Sequence, residues 1–99
     1  MALTSTDVVL RAERLQRKVK RVRGWEADEK TSTITRTYEF PSFPASIRFV
    51  DYVAELAESM DHHPDIDVRY NKVTLTLSTH DAGGVTAKDF ALVDLIDQR

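Results

Sequence analysis

Apolar residues recur along this chain at two alternating spacings, and that alternation leaves few folds open. Val8, Ala12, Leu15, Val19 and Val22 lie four and three apart, the stripe of an amphipathic helix. Ser5 or Thr6 can cap it, Asp7 suits its first turn, and Gly24 closes it. From Trp25 to Phe40 the period drops to two. Ile34, Tyr38 and Phe40 share one face, and Thr33, Thr35, Thr37 and Glu39 share the other, which is strand chemistry. Residues 28–32 (DEKTS) read as the turn after a short strand begun at Trp25. Arg36 falls on the apolar face, a position that a sheet edge or a subunit contact would accommodate.

The helical spacing then returns. Ser42 is a cap, Pro44 fits a first turn, and Ile47, Phe49, Val50, Val53, Ala54, Leu56, Ala57 and Met60 predict a helix running to about Met60. Pro64 cannot extend it. Ile66, Val68 and Tyr70 alternate, Asn71-Lys72 makes a two-residue turn, and Val73, Leu75 and Leu77 alternate again, a hairpin pattern. Asp81-Ala82-Gly83-Gly84 is a loop. Thr86 then caps a last helix with Asp89 in its first turn and Phe90, Val93, Leu95 and Ile96 along it, with Leu92 beside them. The order α-β-β-α-β-β-α predicts an α+β fold: a single four-stranded antiparallel sheet with helices packed on one face. At 99 residues the whole chain, 1–99, is expected to be one domain.

With no cysteine, disulfides, thiolate metal sites and a thiol nucleophile are excluded. The start, MALTSTDVVLRAERLQRK, lacks the pattern of a secretion signal, and no apolar run approaches a membrane span, so a cytoplasmic location is expected. Residues 1–24 hold seven basic side chains against two acidic ones, although the whole chain carries a net charge of -2. No interleaved aromatics or phosphate-binding loops accompany these cations. They read as a solvated helix face rather than a nucleic-acid surface.

Against this plain background the three histidines stand out. They occur in two motifs, Asp61-His62-His63-Pro64 and Ser78-Thr79-His80. Imidazole is the side chain that ordinarily titrates near neutrality. Glu58 lies four residues before His62, so a continued helix would let the carboxylate fix that ring's tautomer. Asp89, in the first turn after a short loop, would then reach His80. Three readings remain open from the residues alone: carboxylate-backed imidazoles for general acid–base catalysis, a three-histidine zinc site, or polar residues marking the ends of elements. Adjacent His-His suits zinc poorly, because neighbouring side chains diverge. The catalytic reading requires the three imidazoles to converge around one small cavity.

Gly24-Trp25, Tyr38-Glu39-Phe40, Phe43, Glu58, Asp61-His62-His63-Pro64, Tyr70-Asn71-Lys72-Val73, Leu77-Ser78-Thr79-His80-Asp81, Gly84 and Thr86 to Asp89 together resemble the pterin-4a-carbinolamine dehydratase family. The resemblance covers about residues 24–98, and the basic first helix, 1–23, is its least matched part. It implies the same α+β fold, assembly into a homodimer or homotetramer with edge strands joining, and removal of water from 4a-hydroxytetrahydropterin. It implies no metal and no organic cofactor. His62 and His80 would be the acid–base pair, with His63 binding the pterin and sharing in proton transfer. Glu58 and Asp89 would orient His62 and His80, and Pro64, Ser78 and Thr79 would shape the substrate pocket. A non-catalytic role as a dimerisation or assembly partner is the alternative the family offers.

Overall fold

The computed structural model describes residues 8–98. They form α1 (Ala12–Val19), β1 (Glu26–Asp28), β2 (Thr33–Glu39), α2 (Phe43–Met60), β3 (Asp65–Arg69), β4 (Lys72–Leu77), a single 3-10 turn (His80–Ala82) and α3 (Ala87–Ile96). The strands make one antiparallel sheet in the order β1-β2-β4-β3. This is the α+β architecture expected from the spacing pattern.

One face of the sheet carries the core. Ile34 and Tyr38 on β2 and Val73, Leu75 and Leu77 on β4 pack with Leu15 and Val19 of α1, Phe49 and Val53 of α2, and Phe90, Leu92, Val93 and Ile96 of α3. Full burial of such a side chain contributes about 1.5–3 kcal/mol. The other face is built of threonines that pair across strands, Thr37 with Thr74 at 2.8 Å and Thr35 with Thr76 at 3.3 Å. No helix among the described residues is long and apolar enough to cross a membrane.

Three details differ from the expectation. The first helix starts at Ala12, with Arg11 extended before it; the caps expected at Ser5 and Thr6 lie outside the described residues. Leu10 N–H instead donates to Val85 O at 2.8 Å, tying this segment to the loop before α3. Only Leu15 and Val19 of the stripe are buried, so the apolar grip on the body begins a turn later than the spacing suggested. The helix also ends at Val19, and irregular turns carry the chain to Gly24. In the β3–β4 hairpin the turn is Tyr70-Asn71, one residue earlier than expected. Tyr70 has φ 55° and stands largely in solvent. Asn71 ties this turn to the end of β2: its Nδ2 donates to Phe40 O at 3.0 Å and its carbonyl accepts from Phe40 N–H at 2.8 Å.

Arg36 needs no sheet edge or subunit contact. It lies on the inner strand β2, over the Tyr38 ring at 4.2 Å, and its Nη1 donates to Arg23 O at 2.9 Å and to Asp97 at 3.3 Å. Gly24 makes this possible. Its φ is +87°, and a Cβ there would stand 2.8 Å from Arg36 Nε. Asp97 also accepts from Trp25 Nε1 at 3.0 Å and Tyr38 OH at 2.6 Å, so one carboxylate binds the end of α3 to β2 and the β1 approach.

Candidate active site

The end of α2 decides where the histidines go. Ser42 caps the start of this helix, accepting from Ala45 N–H at 3.2 Å. At the other end Asp61 turns left-handed, with φ 49°, and His62 N–H reaches back to Ala57 O at 3.0 Å. That reversal closes the helix in the manner of a Schellman turn. It also ends the helical geometry on which a Glu58–His62 pairing depended. The His62 ring swings inward, its side chain 10% exposed, while His63 stays outside at 56%. Pro64 then leads directly into β3.

Asp89 meets His62 from α3. It is completely buried at the third position of the helix, where it closes a capping box with Thr86: Thr86 N–H donates to Asp89 Oδ2 at 2.9 Å. The Thr79 hydroxyl donates to the same oxygen at 2.9 Å and lies 2.7 Å from the Thr86 hydroxyl. His62 Nε2 lies 2.6 Å from Asp89 Oδ1. A buried carboxylate costs several kcal/mol unless paired and hydrogen-bonded. Asp89 has both, and every buried side-chain nitrogen and oxygen among the described residues either has a partner or touches solvent.

Neither expected pairing forms. Asp89 holds His62, not His80, and Glu58 holds His63 (Nε2 to Oε2, 2.8 Å), not His62. The left-handed turn at Asp61 is the physical reason, since it carries residue 63 over the last turn of α2. The Glu58–His63 pair is exposed on both sides and correspondingly weak. His80 opens the 3-10 turn, is exposed, and its imidazole has no hydrogen-bond or ion-pair partner among the described residues.

The substrate-pocket candidates divide in the same way. Pro64 and Ser78 are half-buried. Thr79 is turned inward: its hydroxyl is committed to Asp89 and its N–H to Gly84 O at 2.9 Å, so its side chain is not free for a ligand. The Thr79–Gly84 bridge also closes the loop that carries His80 and fixes the end of β4 to the start of α3. Residues 62, 79 and 89 thus share one hydrogen-bonded framework, and His80 follows Thr79 directly. Five hollows of 250–580 Å³ line α1, β1 and the far end of α3, and no histidine borders any of them. The expected cavity ringed by all three imidazoles is not one of these.

Among the described residues no three His, Asp or Glu side chains gather in a metal-binding group. Thr86 was legible only as a cap, and its link to Thr79 has no sequence signal. The pattern Thr86-x-x-Asp89 did carry a clue: a capping box turns its acid back onto the helix start and away from the loop.

The family model described as pterin 4 alpha carbinolamine dehydratase matches residues 8–99. A Chloroflexus aggregans protein provisionally named pterin-4-alpha-carbinolamine dehydratase is 57% identical over 70 residues, 71% of this chain and 74% of that protein. One of the same provisional name from Herpetosiphon aurantiacus is 48% identical over 90 residues, 91% of this chain and 92% of that protein. Among solved structures, a transcriptional coactivator/pterin dehydratase from Brucella melitensis superposes with a TM-score of 0.85 at 30% identity, covering 91% of this chain and 96% of the other. A pterin dehydratase-like RuBisCO assembly factor of the alpha-carboxysome shares the fold, with a TM-score of 0.64 at 24% identity over 76% of this chain and 87% of the other.

Proposed function

We propose, for a chain that belongs to the pterin 4 alpha carbinolamine dehydratase family, that it removes water from a 4a-hydroxytetrahydropterin by histidine acid–base catalysis. The observation that carries this reading is the buried His62–Asp89 pair, 2.6 Å apart, with His63 next to His62 in the chain and His80 next to Thr79, which donates to the same carboxylate. In the reaction the C4a hydroxyl leaves as water after gaining a proton, and N5 gives one up. The product is a quinonoid dihydropterin, with one proton supplied and one removed. Asp89 stabilises the cation whenever His62 holds the extra proton. His80, with no carboxylate partner among the described residues, is the second acid–base group, and His63 with Glu58 orients the pterin. Positioned proton-transfer groups of this kind typically contribute 10²–10⁴-fold in rate.

The test is a stopped-flow assay with freshly generated 4a-hydroxytetrahydropterin. Absence of acceleration over buffer by folded protein would refute the activity. His62→Ala and His80→Ala should each lose about a hundredfold or more. Full rates in either variant would refute that residue's role.

The same reading includes self-assembly. β3 is an edge strand with Ile66 partly exposed, a place for a second copy to extend the sheet. Light scattering at micromolar concentration tests it: a monomer mass would refute it.

A further inference from the structure

We propose that Thr79 and Thr86 are positioning residues that hold a proton on Nε2 of His62 and leave Nδ1 as the nitrogen that works on the substrate. Every proton around the buried carboxylate can be assigned to a donor. Asp89 Oδ2 receives two donors, Thr86 N–H and the Thr79 hydroxyl, both at 2.9 Å. A threonine hydroxyl has a single proton. Since Thr79 gives its proton to Asp89, the 2.7 Å contact with Thr86 must be donated by Thr86. Thr86 Oγ1 in turn accepts from Lys88 N–H at 3.2 Å, so the chain of donors has one direction, from the α3 backbone to the carboxylate.

With Oδ2 occupied by two donors, a proton on that oxygen would meet both of them. As an ionised carboxylate Asp89 accepts at both oxygens, and the proton in the 2.6 Å contact then belongs to His62 Nε2. A neutral imidazole protonated there carries its free lone pair on Nδ1. No hydrogen bond among the described residues uses Nδ1. No buried side-chain polar atom of the described residues is both sealed and unpartnered, so Nδ1 is not sealed from solvent. The hydroxyl pair keeps the carboxylate from rotating or taking the proton itself. Neither hydroxyl has a geometry that would let it touch a ligand, because both are buried and committed.

The catalytic half of this proposal rests on the dehydratase reading, and the tautomer half does not. The first measurement therefore needs no substrate: long-range ¹H–¹⁵N correlation of the histidine rings in the full chain, at a pH where His62 is neutral. The expected pattern is protonated Nε2 and bare Nδ1, with the Nε2 proton far downfield and slow to exchange with water. A wild-type Nδ1–H tautomer overturns the proposal. Next, Thr79→Val and Thr86→Val are compared with Thr79→Ser and Thr86→Ser. The valine variants should speed exchange of the Nε2 proton at least tenfold and lower kcat about tenfold with KM nearly unchanged, one lost hydrogen bond in rate terms. The serine variants should return both towards wild type. Exchange unchanged in both valine variants overturns the positioning role. If a valine variant does not fold, the wild-type tautomer and the serine variants still decide. If the wild type shows no dehydration, the family activity fails and the tautomer result stands by itself.

Discussion

Replacing Asp89 by asparagine separates what this carboxylate does for the fold from what it does for His62. The site offers donors on both sides: Thr79 O–H and Thr86 N–H at Oδ2, and His62 Nε2 at Oδ1. Asparagine brings one acceptor and one donor group. Its carbonyl oxygen belongs at the Oδ2 position, because two fixed donors already point there. The amide nitrogen then faces His62 Nε2, and two donors cannot share a 2.6 Å contact. The ring resolves the conflict by moving its proton to Nδ1, so that Nε2 accepts. Every polar group is again satisfied, and the stability loss should stay near ~1 kcal/mol, the worth of a charge-assisted over a neutral hydrogen bond. The rate should not be spared, because the working nitrogen is now blocked. An Asp→Asn change that flips a catalytic histidine's tautomer costs on the order of 10⁴ in kcat elsewhere, and 10³–10⁴ is the expectation here. Asp89→Ala differs in kind. It leaves three buried donors without an acceptor and breaks the capping box, for about 3–5 kcal/mol. In a domain of this size that lowers Tm by roughly 15–30 °C. Stopped-flow turnover and thermal melting of both variants check the pair of claims. An Asp89→Asn enzyme within tenfold of wild-type kcat, or an Asp89→Ala protein that melts with the wild type, would refute the reasoning.

Three further outcomes follow from the same geometry. Glu58→Gln should change stability by less than ~0.5 kcal/mol in urea melts, because the Glu58–His63 pair is exposed on both sides; any effect on turnover should appear mainly in KM. Gly24→Ala should cost about 2 kcal/mol, combining a left-handed φ with a contact on Arg36, and a wild-type urea midpoint would contradict it. Asp97→Ala should destabilise by about 2–3 kcal/mol, since Trp25 Nε1, Tyr38 OH and Arg36 all lose an acceptor; melting followed by Trp25 fluorescence would expose a smaller loss.

The fold was legible because its information is periodic. Val73, Leu75 and Leu77 on β4, and Phe49 and Val53 on α2, are buried where their spacing puts them. The caps at Ser42 and Thr86 were legible for a similar reason, since each acts within three residues. The errors fall where one residue leaves the repeating geometry. Asp61 turns left-handed, and that single dihedral moves Glu58 from His62 to His63 and leaves His62 to Asp89. Tyr70 does the same for the hairpin turn. Arg36 was unreadable because its partners, the Arg23 carbonyl and Asp97, are thirteen and sixty-one residues away.

The site residues were legible as chemistry but not as a hierarchy, and the hierarchy follows from burial. Among the described residues His62 sits on a carboxylate that is wholly inside, His63 on one that is mostly in water, and His80 on none. Only the first arrangement is built into the fold, since the carboxylate that pairs with His62 also closes the capping box of α3 and secures Thr79 at the end of β4. Any change that loosens the start of α3 must therefore loosen His62 with it, whereas His63 and His80 can be altered without touching the core. Activity and melting temperature should fall together across substitutions at Thr79, Thr86 and Asp89 that cannot restore the hydrogen bonds, and separately across substitutions at Glu58, His63 and His80. A set of α3-start variants that lose stability yet keep full turnover would show that His62 does not depend on this framework.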